Sequence, residues 1–248
     1  ALEIVPAESG PVALSDQDDR WHPDKLSVLR RALGSAQLVY SDQRLVTEDG
    51  RVIAESYWGQ RRNNFTNLTS LLIANTVTGA AALFRRDLLD FALPFPEVPG
   101  EQYHDQWLAL VGLTVGELAY VDRPLYDYVQ HDNAVLGHAA ANVGLQSLGW
   151  KRLDLRRARE IFGGWGSAYF DVYLRLQALA ELLLNRCGER ISPRKRRSLE
   201  RFVKASKDPL AMPWMALRPL RRLAGRNETL GSERVIARAL AYRHITAL

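Results

Sequence analysis

The chain has 248 residues, 47% of them hydrophobic and 25% charged, which is typical of a globular protein with a sizeable core. No apolar run approaches the roughly 20 residues of a membrane-spanning helix, so an integral membrane protein is not expected. The single cysteine, Cys187, has no partner for a disulfide within the chain and indicates a reducing, cytoplasmic compartment.

The net charge of +5 is unevenly distributed along the chain. Residues 1–138 contain 11 Lys and Arg against 19 Asp and Glu, a net charge of −8. Residues 139–248 contain 22 against 9, a net charge of +13. This contrast predicts two regions with different roles, 1–138 and 139–248.

The first region alternates short strand and helix signals. Strands are predicted over 11–15, 36–42 and 51–58, and two short strands over 117–131 are separated by a bend at Pro124. Helices are predicted from Pro23 to about Leu33, with Leu26, Leu29 and Leu33 on the apolar face, and over 68–79 and 104–116; residues 80–93 read as a strand passing into a short helix. This alternation predicts an α/β fold with a mostly parallel, three-layer sheet.

From about residue 139 the strand signals end and basic amphipathic stretches follow. Helices are predicted over 151–162, 167–187, 193–206, 215–225 and 232–245. The arginines and lysines lie beside Leu, Trp and Met, which fits peripheral contact with an anionic membrane and equally fits a solvated helical face packed on the first region. No nucleic-acid-binding motif is present, so a nucleic-acid partner is not expected.

Three carboxylates, Asp16, Asp18 and Asp19, follow the first predicted strand directly. In open α/β sheets ligands bind beyond the carboxyl ends of strands. A hard divalent cation would offset the repulsion among these acids, and Mg²⁺ is commonly held by one or two carboxylates together with substrate phosphates. A solvated acidic turn at the start of the following helix is the alternative interpretation.

Five blocks of the first region occur in a fixed order: SDQDDRWHPDKL, LVYSDQRLVTEDGRVI, NTVTGAAALFRRDLL, LPFPEVPGEQYHDQWLAL and ELAYVDRPLYDYVQHDNAVLG. Together they resemble bacterial family 2 glycosyltransferases of the GT-A fold, especially the rhamnosyltransferase-like branch that builds surface polysaccharide. The resemblance covers roughly residues 10–138.

The resemblance implies a nucleotide-sugar site and a metal. Asp16 and Asp18 match the D-x-D motif, which binds Mg²⁺ or Mn²⁺ and the donor diphosphate, and Asp19 is the adjacent acid. His131, in YVQHDN, matches a late histidine near the diphosphate or the metal. A purely structural role for His131 stays open.

The resemblance also implies a catalytic base. Asp105, in HDQW, matches the family's base, although an acid at the start of a helix is its alternative role. His104 replaces the glutamate that often precedes that base, and Gly79, in NTVTG, matches the small residue lining the acceptor pocket. We group His104 and Gly79 with the nucleotide-sugar site.

The implied activity is that of a metal-dependent inverting glycosyltransferase of the hexosyltransferase type. It would move a sugar from a nucleotide-sugar donor to a saccharide or lipid-linked acceptor, in the cytoplasm or at the inner face of the membrane. Two alternatives come from other classes: a non-catalytic transferase-like binding module or inactive fragment, and a metal-dependent phosphoryl-transfer enzyme.

The position of the acidic motif carries a further expectation. The resemblance implies a nucleotide-binding half ahead of that motif, whereas 15 residues precede Asp16. Residues 1–138 are therefore expected to be a partial, N-terminally incomplete GT-A catalytic portion, in which Val12–Leu14 is a central strand. Such a chain is expected not to turn over a nucleotide-sugar alone.

Overall fold

The computed structural model describes residues 2–58, 65–98, 103–130, 163–224, 229 and 232–247. The predicted boundary near residue 138, the predicted helix over 151–162 and the candidate residue His131 lie outside the described residues. The described part consists of a sheet flanked by helices and a helical C-terminal region, so the predicted α/β class with its helical C-terminal region is confirmed.

The first region contains six strands and four helices within its described residues. The strands are β1 (Val12–Ala13), β2 (Arg20–Trp21), β3 (Leu38–Thr47), β4 (Val52–Ala54), β5 (Ala82–Phe84) and β6 (Leu118–Gln130). The helices are α1 (Lys25–Leu33), α2 (Leu68–Ile73), α3 (Leu89–Ala92) and α4 (His104–Val115), and a 3₁₀ turn spans Gly79–Ala81.

The strand order is β1-β5-β3-β6-β2, with β4 paired to β3. Among the described strands only β3 and β6 run parallel, and the other four pairings are antiparallel. The predicted mostly parallel sheet is therefore wrong. The β3–β4 pair is a hairpin, and its turn contains Gly50 at φ +88°. The short edge strands β1 and β2 pair antiparallel with β5 and β6, and β5 also runs antiparallel to β3.

Strand β1 lies at the edge of the sheet, which corrects its predicted central position. It spans two residues and pairs only with β5, through Val12↔Phe84 and Ala13↔Leu83. Pro11 precedes it and has no N–H to donate to a ladder, which favours an edge position. The central strand is β3, which pairs with β4, β5 and β6.

Strand β6 is one continuous strand, where the sequence predicted two. Its parallel register with β3 runs to Ser41↔Val121 and then shifts, so that Asp42 lies opposite Pro124. The residues between Val121 and Pro124 form a bulge, which accommodates the proline without ending the strand. The predicted bend is therefore an irregularity within β6.

The helical region begins, in its described part, with helical residues from 163. A π-helical turn over Ala168–Tyr173 continues into α5 (Leu174–Arg186), followed by α6 (Pro193–Val203), α7 (Ala211–Leu217), a 3₁₀ helix (Arg218–Ala224) and α8 (Glu233–Thr246). None of the described helices combines the length and the apolar character required to cross a membrane.

Alternate residues of β3 face opposite sides of the sheet, as the pleat requires. Val39 packs with Leu29 and Leu33 of α1 on one side. Leu38 and Tyr40 belong to the larger core on the other side, which also contains buried residues of α2 and α4. The sheet thus lies between helical layers, and the predicted three-layer arrangement holds despite the mixed strand directions.

The larger core continues from the sheet into the helical region. Leu110 of α4, Leu176 of α5 and Phe202 of α6 are each at most 1% exposed and belong to the same cluster. A hydrogen bond of 2.6 Å between the hydroxyls of Thr69 and Ser198 joins α2 to α6. The helical region therefore packs directly on the helices that cover the sheet.

Candidate functional site

The acidic loop, which we define as Asp16–Asp19, connects β1 to β2. Asp16 and Asp18 are exposed, whereas Asp19 is half-buried and turns toward the backbone N–H of Val129. Both carboxylate oxygens of Asp19 are buried and lack a hydrogen bond of standard geometry. A buried carboxylate in this state is costly, because it has lost water without gaining full hydrogen bonding.

The electrostatics of the loop reflect this burial. The pKa of Asp19 is raised to about 7, mainly by desolvation and also by the negative charges of Asp16 and Asp18, while the Val129 N–H and Lys25 oppose the shift. The charges of the exposed Asp16 and Asp18 thus further disfavour the ionised form of Asp19, which burial already disfavours. A bound cation would relieve both effects.

Lys25 is the residue that the loop faces inside the protein. It is 1% exposed, and its ammonium donates a hydrogen bond to the Ala80 carbonyl. The Nζ atom lies 3.8 Å from the centroid of the Trp21 ring and 4.5 Å from that of Tyr126. Burial lowers the pKa of Lys25 to about 8, against the stabilising charges of Asp19 and Asp16.

Sequence analysis missed Lys25, because the predicted apolar face of α1 contained Leu26 in its place. In the structure Leu26 is 46% exposed, and the buried stripe is Lys25, Leu29 and Leu33. The spacing i, i+4, i+8 carried the signal: a lysine that continues a buried leucine stripe lies on the core side and needs a partner there.

Gly79 lies between the acidic loop and the start of α4. A Cβ atom at this position would lie 2.8 Å from Nε2 of His104 and 3.5 Å from Cδ1 of Leu14. Leu14 precedes the acidic loop by two residues, and His104 is the first residue of α4. Three segments that are distant in sequence therefore meet at a position that admits no side chain without displacing the histidine.

Asp105 lies in the first turn of α4, next to this contact. Its Oδ1 accepts hydrogen bonds from the Gln106 N–H at 2.6 Å and from Nδ2 of Asn75 at 3.4 Å, and its carboxylate also accepts from the Gly79 N–H. Burial raises the pKa of Asp105, while these N–H groups and the charge of His104 oppose the shift. The Asp105 carboxylate therefore binds a proton more readily than the carboxylate of an exposed aspartate does.

Asn75 is a second residue that sequence analysis missed. Its Nδ2 also donates to the Val77 carbonyl at 2.8 Å, and its Oδ1 accepts from the Val77 N–H at 3.0 Å. The side chain therefore fixes the loop between α2 and Gly79 while it reaches Asp105. The predicted helix 68–79 ends at Ile73, so Asn75 lies in a loop. Asparagine side chains commonly hydrogen-bond nearby backbone groups outside helices, and this tendency was the available signal.

A cavity of about 170 Å³ opens beside His104. The aromatic side chains of Phe95, Tyr103 and Trp107 line it, and Gln106 and Arg175 are its other polar residues. Its volume is below the roughly 300–1,000 Å³ of drug-sized pockets, so it suits a group no larger than a single ring. Arg175 belongs to α5, so the helical region forms part of the wall.

The predicted metal site has a restricted donor set. Within the described ranges, no group of three His, Cys, Asp or Glu side chains is arranged to hold a metal ion. The acidic loop offers the two exposed carboxylates of Asp16 and Asp18, whereas both carboxylate oxygens of Asp19 are buried. This set fits a hard cation that completes its shell with phosphate and water oxygens, rather than a centre closed by protein ligands alone.

The comparisons with known proteins do not establish a family or a function for the chain. No protein-family model and no curated protein matches it. Among solved structures it matches the crystal structure of S. aureus TarS 1-349 in complex with UDP-GlcNAc, with 16% identity and a TM-score of 0.39, over 96% of this chain and 69% of that chain. A likeness this remote carries no argument about function.

Proposed function

We propose that the chain is a metal-dependent inverting glycosyltransferase that moves a sugar from a nucleotide-sugar to a saccharide or lipid-linked acceptor. The observation that supports it best is the contact at Gly79, which brings the segment leading to the acidic loop against the first turn of α4. The donor-binding acids and the base that the family resemblance implies thereby belong to neighbouring segments.

On the donor side, Asp16 and Asp18 would hold Mg²⁺ or Mn²⁺, which when bound supplies positive charge to the diphosphate leaving group. Asp19 faces inward, so its role is to raise the negative potential of the loop and to interact electrostatically with Lys25. Lys25 in turn donates to the Ala80 carbonyl and so connects α1 to the turn that contains Gly79.

On the acceptor side, Asp105 takes the proton of the attacking hydroxyl. Gln106 and Asn75 donate to the same oxygen, which fixes the orientation of the carboxylate. Because burial raises the pKa of Asp105, its ionised form is a stronger base than an exposed aspartate. A single displacement of this kind inverts the anomeric centre and needs no covalent intermediate.

The cavity beside His104 is the proposed position of the acceptor ring. Its aromatic wall, with Tyr103 and Trp107, offers faces on which a sugar ring can stack, and Gln106 and Arg175 offer hydrogen bonds to its hydroxyls. An acceptor held there would lie next to the first turn of α4, where Asp105 is.

The test is the transfer or release of nucleoside diphosphate from a panel of nucleotide-sugars with Mn²⁺. It is run on the 248-residue chain and on a version extended upstream by any native residues that its gene encodes, and the substitutions are made in whichever of the two turns over. Asp105→Asn is expected to lower turnover at least ~10²-fold and to leave donor binding nearly intact. The control is Asp90→Asn, an exposed carboxylate that pairs with Arg86 and is expected to leave turnover unchanged. Normal turnover in Asp105→Asn would rule out Asp105 as the base. Donor binding without turnover in both the chain and its extended version would favour a non-catalytic binding module.

A further inference from the structure

The segment from Leu210 to Ala224 exposes four large apolar side chains. Leu210 is 71% exposed, Leu217 59%, Leu220 57% and Leu223 88%. A single exposed leucine needs no explanation, but four within fourteen residues form a surface that water disfavours.

Three of these leucines form one row. Leu217 ends α7, and Leu220 and Leu223 belong to the 3₁₀ helix over Arg218–Ala224. A 3₁₀ helix has three residues per turn, so side chains three positions apart lie directly above one another. We call the row Leu217, Leu220 and Leu223 the leucine ridge.

Two of the arginines in this stretch, Arg218 and Arg221, face the protein. Arg218 donates to the Ser70 hydroxyl at 2.9 Å and to Oδ1 of Asn67 at 3.4 Å, and its Nε lies 3.8 Å from Glu233. Arg221 donates to the Ser70 hydroxyl at 2.7 Å. This is the reverse of an ordinary surface helix, which turns its apolar face inward.

The surroundings of the ridge are cationic and contain a tryptophan. The Trp214 ring lies in α7 with the guanidinium carbons of Arg201 and Arg218 at 4.1 and 5.6 Å from its centroid. Lys204 and Lys207 are exposed just before Leu210. The whole stretch 139–248 has a net charge of +13, so an anionic partner is favoured on charge.

We propose that the leucine ridge is a membrane-docking surface, which lies in the boundary between headgroups and acyl chains of an anionic bilayer. The leucines would enter the apolar layer, Trp214 would lie at headgroup level, and Lys204 and Lys207 would face the anionic headgroups. The hydrogen bonds from Arg218 and Arg221 to Asn67 and Ser70 hold the ridge in place in the absence of a membrane. The proposal rests on this surface alone and does not depend on glycosyl transfer.

The test is co-flotation of the full chain with phosphatidylcholine vesicles, with and without phosphatidylglycerol. Leu220→Ser/Leu223→Ser removes two exposed side chains and is expected to keep the fold while lowering partition into anionic vesicles at least ~10-fold. The control, Ile4→Ser/Leu26→Ser, changes two exposed apolar residues of the first region, 83% and 46% exposed, and is expected to bind as the unmodified chain does.

Three results would overturn the proposal. The first is failure of the unmodified chain to bind anionic vesicles at low salt. The second is equal binding of the ridge variant. The third is a shift of the unmodified chain, but not of the ridge variant, to a larger species in light scattering without lipid, together with no vesicle binding, since the ridge would then be an interface between copies of the chain.

Discussion

Asp19 and Lys25 are both buried where desolvation disfavours their charges. Burial raises the pKa of the aspartate to about 7 and lowers that of the lysine to about 8, and each residue opposes the shift of the other. The positive charge of Lys25 therefore offsets part of the repulsion at Asp19 from inside the protein. Asp16 and Asp18 remain exposed and available to an external cation.

Asp19→Asn is expected to stabilise the chain at alkaline pH. The folded-state pKa of about 7 lies above the ordinary value of 3.8, so the folded state holds the proton longer and loses stability as pH rises between these values. The asparagine amide is uncharged at every pH, so the variant avoids the cost of burying a charge. Urea unfolding is expected to give equal stabilities at about pH 4 and a gain of ~1 kcal/mol at about pH 8, discounted for partial exposure.

The control for this measurement is Asp122→Asn, an exposed carboxylate of β6, which is expected to be neutral at both values of pH. Added Mn²⁺ is expected to remove the advantage of Asp19→Asn, since a cation relieves the same repulsion. A loss of stability at pH 8 in Asp19→Asn would show that the ionised carboxylate stabilises the fold.

Gly79→Ala tests the contact that joins the acidic loop to α4. The added Cβ would lie 2.8 Å from Nε2 of His104, whose exposed ring can move, so the free energy of unfolding is expected to change by less than ~1 kcal/mol. Turnover is expected to fall several-fold, because the displaced ring lies beside Asp105 and the cavity. Kinetics and thermal unfolding measure the two effects.

The matched comparison is the same substitution in a His104→Ala background. There the Cβ meets no ring, so Gly79→Ala is expected to have little further effect on turnover. Gly10→Ala, which has nothing within 4 Å of its added Cβ, controls for the change of residue type. Additive losses from the two substitutions would mean that Gly79 does not act through His104.

At the scale of secondary-structure elements, the sequence predicts element type better than element partners. The periodicity of α4 and the apolar run of β3 are local. Helix α4 forms over nearly its predicted range of 104–116, whereas β3 contains most of the predicted strand 36–42 and continues to Thr47. Whether β1 lies at the centre or the edge, and in which direction it pairs, depends on β5, about 70 residues away, which no local pattern specifies.

The residues of the candidate site also fall into those that local sequence predicts and those that it does not. The family resemblance pointed to Asp16, Gly79 and Asp105, because these residues lie at positions that match the family's motifs. Lys25 and Asn75 matter through contacts to residues 55 and 30 positions away, so their roles become visible only when the chain is folded. Residues that position a site are in general harder to predict than those that belong to its motif.

Tyr173→Phe tests how the π-helical turn that precedes α5 is held to α6. The Tyr173 side chain is fully buried, its hydroxyl donates to the Phe202 carbonyl at 3.0 Å, and it accepts from the Ser206 N–H at 3.1 Å. Removing the hydroxyl leaves two backbone groups without this partner, so a loss of ~1–3 kcal/mol in unfolding free energy is expected.

Urea unfolding measures this loss, with Tyr169→Phe as the control. The Tyr169 ring stacks on that of Tyr173 with centroids 5.5 Å apart, so the substitution changes the same aromatic layer without touching the α6 backbone. Equal effects of the two substitutions would assign the stabilisation to ring packing and not to the hydrogen bonds.

At the scale of the whole molecule, acidic and basic regions share one hydrophobic core. The core runs from the helices on the sheet into α5 and α6, and Arg175 of α5 lines the cavity beside His104. The helical region therefore contributes to the site as well as to the proposed membrane surface. A substitution in either region that loosens the core is expected to affect both.

The most direct test of the donor site is calorimetric titration of UDP, dTDP and GDP into the full chain, with and without Mn²⁺. The unmodified chain is expected to bind at least one nucleotide in a Mn²⁺-dependent manner. Asp16→Asn/Asp18→Asn is expected to weaken that binding at least ~10-fold, because both proposed metal ligands are lost. Asp87→Asn/Asp90→Asn, which removes two exposed carboxylates near α3, is expected to leave the affinity unchanged. Equal nucleotide affinity in the two double variants, or binding that is indifferent to Mn²⁺, would contradict a metal-assisted donor site at the acidic loop.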